Sequence, residues 1–321
     1  HHPQRRARLT RSPPAPKRPH GAAWRSAPIL GGAVRFDTIS FLSDYGTTDE
    51  FVGVVHSVIR QIAPEVRVID LSHHVPAHDV RSGGLTLARS AQYLAPGVVL
   101  AVVDPAVGTA RRAIAVEVGD GASILVGPDN GLLAPAVAMV GGATRAVELT
   151  EPEFQLPAPG PTFAGRDVFA PVAAHLCNGV DLAELGPEID PYALTPGMIP
   201  ITREEGDELI AEVLWTDQFG NLQLNVDPAE IEGLGDRIEL RFDKRVRTGI
   251  RRTTYAEVPV GEIGLIVDSY GLVSMAVNRS SAAEELRIGT GDEVRLVRGD
   301  GDGDGSAPAG AVTPVQLGAR R

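Results

Sequence analysis

Apolar and polar positions follow two different rhythms along this chain, and the change falls near residue 190. In the first half, short β-branched runs alternate with stretches of helical spacing. Thr38 to Leu42 reads as a strand; Phe51 to Ile62 repeats apolar residues at helical intervals, with Thr47 to Asp49 offering an N-cap and Pro64 a stop. Val66 to Ser72 is a second strand, followed by a helix from Val80 through Leu94 that Asp79 can cap. Val98 to Val103, bounded by Pro96-Gly97, is a buried strand, and Ala113–Val118 and Ser123–Gly127 read as two more. Pro128-Asp129-Asn130-Gly131 makes a turn before a helix from Leu132 to Val140. This β-α-β-α-β order predicts an α/β domain built on a largely parallel sheet. Asp44, Asp70, Asp104 and Asp129 then stand at carboxyl ends of strands, where open α/β sheets bind ligands.

The segment Pro161 to Pro171 leads into a helix through Ala173, Ala174, Leu176 and Cys177; within it, Arg166-Asp167 reads best as a capping and pairing device. Pro187 to Pro200 is proline-rich and irregular. Beyond it come short alternating strands, among them Glu208–Trp215, Leu222–Val226, Arg237–Phe242 and Glu293–Val297, which predict a smaller all-β, barrel-like domain. The expected organisation is a basic tail over 1–35, an α/β domain over 36–190, a linker over 191–200, the β-barrel-like domain over 201–298 and a second tail over 299–321.

Composition changes this picture mainly at the ends. Residues 1–35 hold eight basic residues and no acid, so the remainder of the chain carries 22 basic against 41 acidic residues. Such a tail cannot bury enough apolar surface to order itself. An acidic body repels phosphates, which argues against nucleic acid as a partner. Arg5-Arg6 lacks the apolar stretch of a twin-arginine signal, and no run reaches the roughly 20 apolar residues of a membrane span, so a cytoplasmic protein without a membrane partner is expected. Asp300, Asp302 and Asp304 resemble a calcium loop, but the bidentate Glu that closes such a loop is absent. The single cysteine, Cys177, excludes an internal disulfide.

Candidate chemistry concentrates after the Val98–Val103 strand. Asp104 ends it, Pro105 stops the ladder, and Arg111 follows across a loop containing Gly108. A carboxylate and a guanidinium joined by one tight loop either hold a polar substrate or a water, or close the loop as a structural ion pair; these residues alone allow both. His73, His74 and His78 fall close together, yet adjacent residues on extended backbone point different ways, so no metal is expected there. Asp217-Gln-Phe-Gly-Asn221 and Asp268-Ser-Tyr-Gly271 read equally well as ordinary hairpin turns.

Taken together, Ser43-Asp-Tyr-Gly46, Asp104-Pro-Ala-Val-Gly-Thr-Ala-Arg-Arg112, Pro128-Asp-Asn-Gly131, Thr162-Phe-Ala-Gly-Arg-Asp167, Asp217–Asn221 and the stretch from Ser269 to Asn278 form an ordered series. That series resembles the S-adenosylmethionine hydroxide adenosyltransferases, a family that also includes the fluorinase and chlorinase, over Thr38 to Val297. The resemblance implies an N-terminal α/β domain, a C-terminal barrel-like domain, and a homotrimer with its site between one subunit's N-domain and a neighbour's C-domain. It implies a hydrolase that displaces methionine from C5′ of S-adenosylmethionine and releases adenosine, with that molecule as substrate and no cofactor. By position, Asp44 would hold the ribose hydroxyls, and Thr162 and Phe163 would line the sugar and reaction centre. Asp217 and Ser269 would hold the amino and carboxylate groups of methionine; Phe219, Asn221, Tyr255 and Asn278 would contact the adenine side.

Asp104 and Arg111 separate the branches of the family: the halogenases resembled here lack that aspartate, whereas hydroxide enzymes pair it with the arginine to orient a water, and Asp129 agrees with the water-using branch. One position departs. Hydroxide-branch members place a histidine between Phe163 and Gly165, where this chain has Ala164. The expectation is a slow hydrolase in which Asp104–Arg111 alone, or a nearby loop histidine such as His78, positions the water. The alternatives are a non-catalytic binder of S-adenosylmethionine or adenosine, and a halide-using adenosyltransferase.

Overall fold

The computed structural model describes residues 35–299. The basic stretch up to residue 34, with Arg5-Arg6, and the stretch from 300 onward, with Asp300, Asp302 and Asp304, lie outside the described residues. Arg35, assigned from sequence to the tail, is instead held to the body: its N–H donates to the Cys177 carbonyl at 3.0 Å and its guanidinium pairs with Glu117 at 3.2 Å.

The first sheet contains β1 (Thr38–Ser43), β2 (Arg67–Ser72), β3 (Val98–Val102), β4 (Ala113–Val118), β5 (Ser123–Pro128) and β6 (Ala143–Glu148), in the spatial order β2-β1-β3-β5-β4-β6. β1 pairs in parallel with β2 and β3, and β3 with β5; β4 runs antiparallel between β5 and β6. The sheet is therefore largely parallel, as expected. β1 and β3 are buried along their whole length; β3 therefore reads as a continuous apolar run, whereas β1 also buries Thr38, Ser40 and Ser43. β6 buries only Ala146 and Val147, too few to leave a pattern in the sequence.

Helix α1 (Phe51–Ile62) buries Val55, Val58 and Ile59, the spacing of a single helix face. The expected cap from Thr47 to Asp49 does not form; Glu50 stands at the N-cap without a side-chain hydrogen bond. Helix α2 (Val80–Ala91) is capped as expected: Asp79 Oδ1 accepts the Ser82 N–H at 2.9 Å, and it stops short of Leu94. Helix α3 (Ala134–Met139) starts later than the apolar pattern suggests. Asn130 accepts the Leu132 N–H and donates to the Val103 carbonyl, which holds Leu132 in the turn, and Pro135 opens the helix. A π-helical turn, Gly165–Phe169, runs into α4 (Ala170–Cys177), whose side chains are nearly all buried. Phe169, Leu176 and Cys177 pack there against Phe41, Leu100 and Val126 of the sheet.

The second sheet holds β7 (Arg203–Glu205), β8 (Glu208–Thr216), β9 (Leu222–Leu224), β10 (Arg237–Phe242), β11 (Arg245–Arg251), β12 (Ile263–Val267), β13 (Val273–Val277) and β14 (Glu293–Arg298). Its order is β14-β10-β11-β12-β13-β9-β8-β7, and β14 also pairs with β8. That last pairing closes seven strands into a barrel, with β7 appended outside the ring, and removes the exposed edges an open sheet would leave. The barrel core includes Val213, Leu224, Ile238, Leu240, Met275 and Leu296. A short helix, α5 (Ala282–Leu286), is capped by the Ser281 hydroxyl, which accepts the Glu284 N–H at 3.1 Å.

Helix α2 joins the two parts. Arg81 pairs with Glu212 on β8, and the Arg89 guanidinium lies 4.3 Å from the ring of Trp215 on the same strand. Burial there pulls the Arg89 pKa down to about 10, against the nearby Tyr270 and Asp268, which raise it. The connecting segment is tied down as well: Asp129 Oδ1 accepts the Thr195 N–H at 2.8 Å, and Arg112 donates to the Ala193 carbonyl at 2.8 Å.

Two glycines make this packing testable with opposite signs. A Cβ on Gly127 of β5 would strike the carbonyl oxygen of Ala101, a backbone atom that cannot yield. Gly127→Ala should therefore lower stability by roughly 1–3 kcal/mol. Gly53, exposed on α1 with nothing within 4 Å of such a Cβ, should gain about 0.5–1 kcal/mol as Gly53→Ala. Urea denaturation midpoints of the two variants check both.

Candidate active site

A cleft opens at the carboxyl ends of β1 and β3. Asp44 and Tyr45 reach it from the end of β1, Phe51 from the start of α1, Asp104 and Val107 from the loop after β3, and Thr162 to Gly165 from the approach to the π-helical turn. Ala77 and His78 complete the wall from the loop before α2. Four sequence-predicted residues, Asp44, Asp104, Thr162 and Phe163, are thus brought together.

Arg111 does not line the cleft directly but grips the carboxylate that does. Its Nε lies 2.9 and 3.0 Å from the two oxygens of Asp104, and its Nη2 bonds Asp104 Oδ2 as well. The two side chains are only 5% (Asp104) and 12% (Arg111) exposed, and the guanidinium rests 5.2 Å from the centre of the Phe169 ring. Arg112, its neighbour at the start of β4, turns the other way to the buried Asp129, at 2.8 Å from Nε. Asp129 therefore serves the connecting segment rather than the cleft.

Three aromatic rings form the apolar wall. Phe163 stands edge-on to Tyr45 at 5.6 Å and to Phe51 at 5.0 Å between centroids. Sequence reasoning did not pick out Tyr45 or Phe51 as site residues; Tyr45 stood inside a quoted motif, and Phe51 read only as helix core. Gly165 is small because the Tyr45 phenol lies against it: a Cβ there would sit 3.0 Å from Tyr45 Cζ and closer still to the hydroxyl. Burial lifts the Tyr45 pKa far above the ordinary tyrosine value, and the carboxylates of Asp44 and Asp104 raise it further, opposed by the Gly165 N–H and Arg111. Arg166 and Asp167 form the expected ion pair, at 2.6 and 3.0 Å, with Arg166 also stacked over Phe163 at 5.0 Å.

His78 enters as a strained residue. Its φ is 67°, a left-handed conformation that a side chain resists, and its N–H donates to Asp44 Oδ2 at 2.9 Å. Its loop thus reaches the cleft, whose lining it shares with Ala164 and Asp104.

None of the barrel residues predicted from sequence lines this cleft of the same chain. Asp217 folds its own turn, accepting the N–H groups of Phe219 and Asn221 at 2.8 and 2.9 Å and the Asn221 side-chain amide at 2.8 Å. Phe219 is 69% exposed and Tyr255 46% exposed, and Ser269 stands exposed on the Asp268 turn. Asn278 donates to the Val258 carbonyl at 2.8 Å, which steadies the turn carrying Tyr255. Burial, then Asp217 and Asp268, raise the Tyr255 pKa, which puts those loops within electrostatic reach of one another.

This geometry can now be set beside known proteins. Residues 39–186 match the SAM hydroxide adenosyltransferase N-terminal domain, and residues 211–295 match the C-terminal domain. The chain belongs to this family. It is 46% identical over 261 residues to the (R)-S-adenosyl-L-methionine hydrolase of Salinispora arenicola, covering 81% of this chain and 98% of that one. The (R)-S-adenosyl-L-methionine hydrolase of Thermus thermophilus is 42% identical over 271 residues, covering 81% and 99%. The crystal structure of an uncharacterized conserved protein from Thermotoga maritima superposes with a TM-score of 0.75 at 32% identity, covering 81% of this chain and all of that one.

The buried phenol gives an alkaline signature. Of the five tyrosines, Tyr45 should ionise last in an ultraviolet titration, and the delayed phase should vanish in Tyr45→Phe. Above roughly pH 10 the unfolded chain gives up this proton while the folded chain keeps it, so the folded state binds more protons and stability falls as pH rises. Tyr45→Phe should flatten that fall in denaturation midpoints.

Proposed function

We propose that this protein hydrolyses (R)-S-adenosyl-L-methionine to adenosine and L-methionine through attack of water on C5′. The observation that carries the reading is the buried Asp104–Arg111 pair, at the mouth of which Asp44, Thr162 and Phe163 converge. The family and its hydrolase relatives support it.

The sulfonium already carries a good leaving group, so the protein's task is to align a water behind C5′ and strip part of its hydration. Asp44 keeps one carboxylate oxygen clear of its bond to His78 and can take the ribose hydroxyls, which fixes C5′. Arg111 holds Asp104 in one orientation, and Asp104 in turn orients the water and accepts its proton. The water oxygen bonds to C5′, and the C5′–S electron pair leaves with sulfur as neutral methionine. Two carboxylates and an aromatic wall suit a cationic sulfonium. Asp104 beside the line of attack repels an incoming halide. No cofactor enters this scheme.

The methionine and adenine ends are assigned to the barrel loops: Asp217 and Ser269 for the amino and carboxylate groups, and Phe219, Asn221, Tyr255 and Asn278 for the base. We assign them from a neighbouring subunit of a homotrimer. That reading is supported by their separation from the cleft of their own chain and by the exposure of Phe219 and Tyr255. The cytoplasm is the compartment proposed.

Ala164 leaves no imidazole where the hydroxide branch has histidine, and His78, which lines the same cleft, is a side chain able to assist Asp104. Incubation in oxygen-18 water should put label in the adenosine 5′-hydroxyl, and Asp104→Asn should lower kcat by roughly 10²–10⁴. Binding in calorimetry without adenosine release overturns the reading; 5′-halo-adenosine in chloride or fluoride redirects it to the halide branch. Adenine or methylthioadenosine as product means other chemistry. His78→Ala should lower kcat at least tenfold with KM less affected, by analogy with the general-base range. An unchanged rate leaves Asp104–Arg111 to work alone.

A further inference from the structure

We propose that His56, Asp70 and His73 form a mononuclear site for a divalent first-row transition cation of the Zn²⁺ type, outside the reaction cleft. The site is assembled by the fold and is invisible as a motif. β2 carries Asp70 near its end and delivers His73 just beyond Ser72, while α1 brings His56 from 14 residues upstream of Asp70. Asp70 Oδ1 lies 2.8 Å from His56 Nε2 and 3.0 Å from His73 Nε2, and the three atoms all lie within 4.8 Å of one another. Phe41, fully buried beneath, walls both rings, with its centroid 4.6 Å from that of His73 and 6.2 Å from that of His56.

His73 supplies the second, independent observation. Its side chain is 5% exposed, and Nε2 is a buried polar atom without a hydrogen-bond partner: Asp70 is near it, but not in hydrogen-bond geometry. Its other nitrogen is already engaged, 2.8 Å from the Ser43 hydroxyl, an oxygen that also accepts the Tyr45 N–H at 3.3 Å. With the proton on Nδ1, donated to Ser43, the Nε2 lone pair points into the cluster and faces a carboxylate oxygen. Two lone pairs so placed repel, and a cation between them removes the repulsion. A ligand histidine whose second nitrogen is fixed by a hydrogen bond is the usual arrangement at metal sites.

The donor set selects the class. Two imidazoles and one carboxylate suit Zn²⁺ and its first-row neighbours, whereas Mg²⁺ and Ca²⁺ favour oxygen ligands. Bonds of about 2.0–2.1 Å to Zn²⁺ place neighbouring donors roughly 3–3.5 Å apart, so the two Asp70–histidine separations need to widen only slightly to admit the ion. His56 and Asp70 are 35% and 43% exposed, which leaves an entry path and a fourth position for water. This set differs from the His73, His74 and His78 group considered from sequence; of those three, only His73 takes part. Because the His73 carbonyl also accepts the Gly46 N–H at 2.7 Å, the ion would brace the loop carrying Asp44 and Tyr45.

Titration of the full chain, stripped of metal and without nucleoside, with Zn²⁺ in calorimetry and Co²⁺ in visible absorption tests the site. We expect one Co²⁺ per chain with a ligand-field band that disappears in His56→Ala and in Asp70→Asn, and Zn²⁺ binding at least tenfold weaker in both. His74→Ala, at an exposed histidine outside the cluster, should bind as the parent does. Parent-like binding in His56→Ala and Asp70→Asn, or no binding by the parent, overturns the proposal. His1 and His2 are common to every variant, so their contribution cancels in the comparison. The readout needs no turnover and is independent of the hydrolase reading.

Discussion

A carboxylate withdrawn from water at the end of a strand must find a matching charge, because an unpaired buried ion costs several kcal/mol. Asp104 finds it in Arg111, and much of the cleft follows from that match. The loop between β3 and β4 has to return within seven residues to bring the guanidinium back, which it does through tight turns closed by the Asp104 and Ala106 carbonyls. Arg111 then lies over Phe169, the buried anchor of the π-helical turn, so the pair links the sheet to the segment that presents Thr162 and Phe163. The structural and chemical readings of this pair are compatible: the same contacts that close the loop hold the carboxylate still at the cleft.

Two consecutive arginines just before β4 divide the labour. Arg111 turns to Asp104 and Arg112 to Asp129, whose other oxygen secures Thr195 in the segment leading to the barrel. The dipeptide thus couples the geometry of the site to the anchoring of the connection. On the other side, Arg89 against Trp215 and Arg81 with Glu212 fasten α2 to the barrel wall. A cation over an indole gains from partial shielding, and both groups are half-buried here. The barrel loops that carry Asp217, Tyr255 and Ser269 do not line the cleft of their own chain.

How much of this was legible depended on the range of the interaction involved. A continuous apolar run marked β3, a short β-branched and aromatic stretch before Ser43-Asp44 marked β1, alternation marked the barrel strands, and Asp79 marked the start of α2, since each reflects neighbours a few residues apart. The Asp104–Arg111 pair was visible as a possibility because one loop joins its partners. Thr47 to Asp49 failed as a cap because local propensity there yields to the path the chain takes from β1 into α1. β6 left too few buried positions to register.

By itself the sequence determined the element types, the strand-end positions of Asp44 and Asp104, the change from α/β to all-β and, through an ordered series of motifs, the family. Only the tertiary structure decided that β4 runs antiparallel between β5 and β6, that β14 meets β8 to close the barrel, and that Tyr45 and Phe51 wall the cleft. The same holds for His56, which joins Asp70 and His73 across a helix and a strand. The physical reason is that, the short β4–β5 hairpin apart, these contacts join different elements and are selected by packing and desolvation of the whole, so no spacing within one element encodes them.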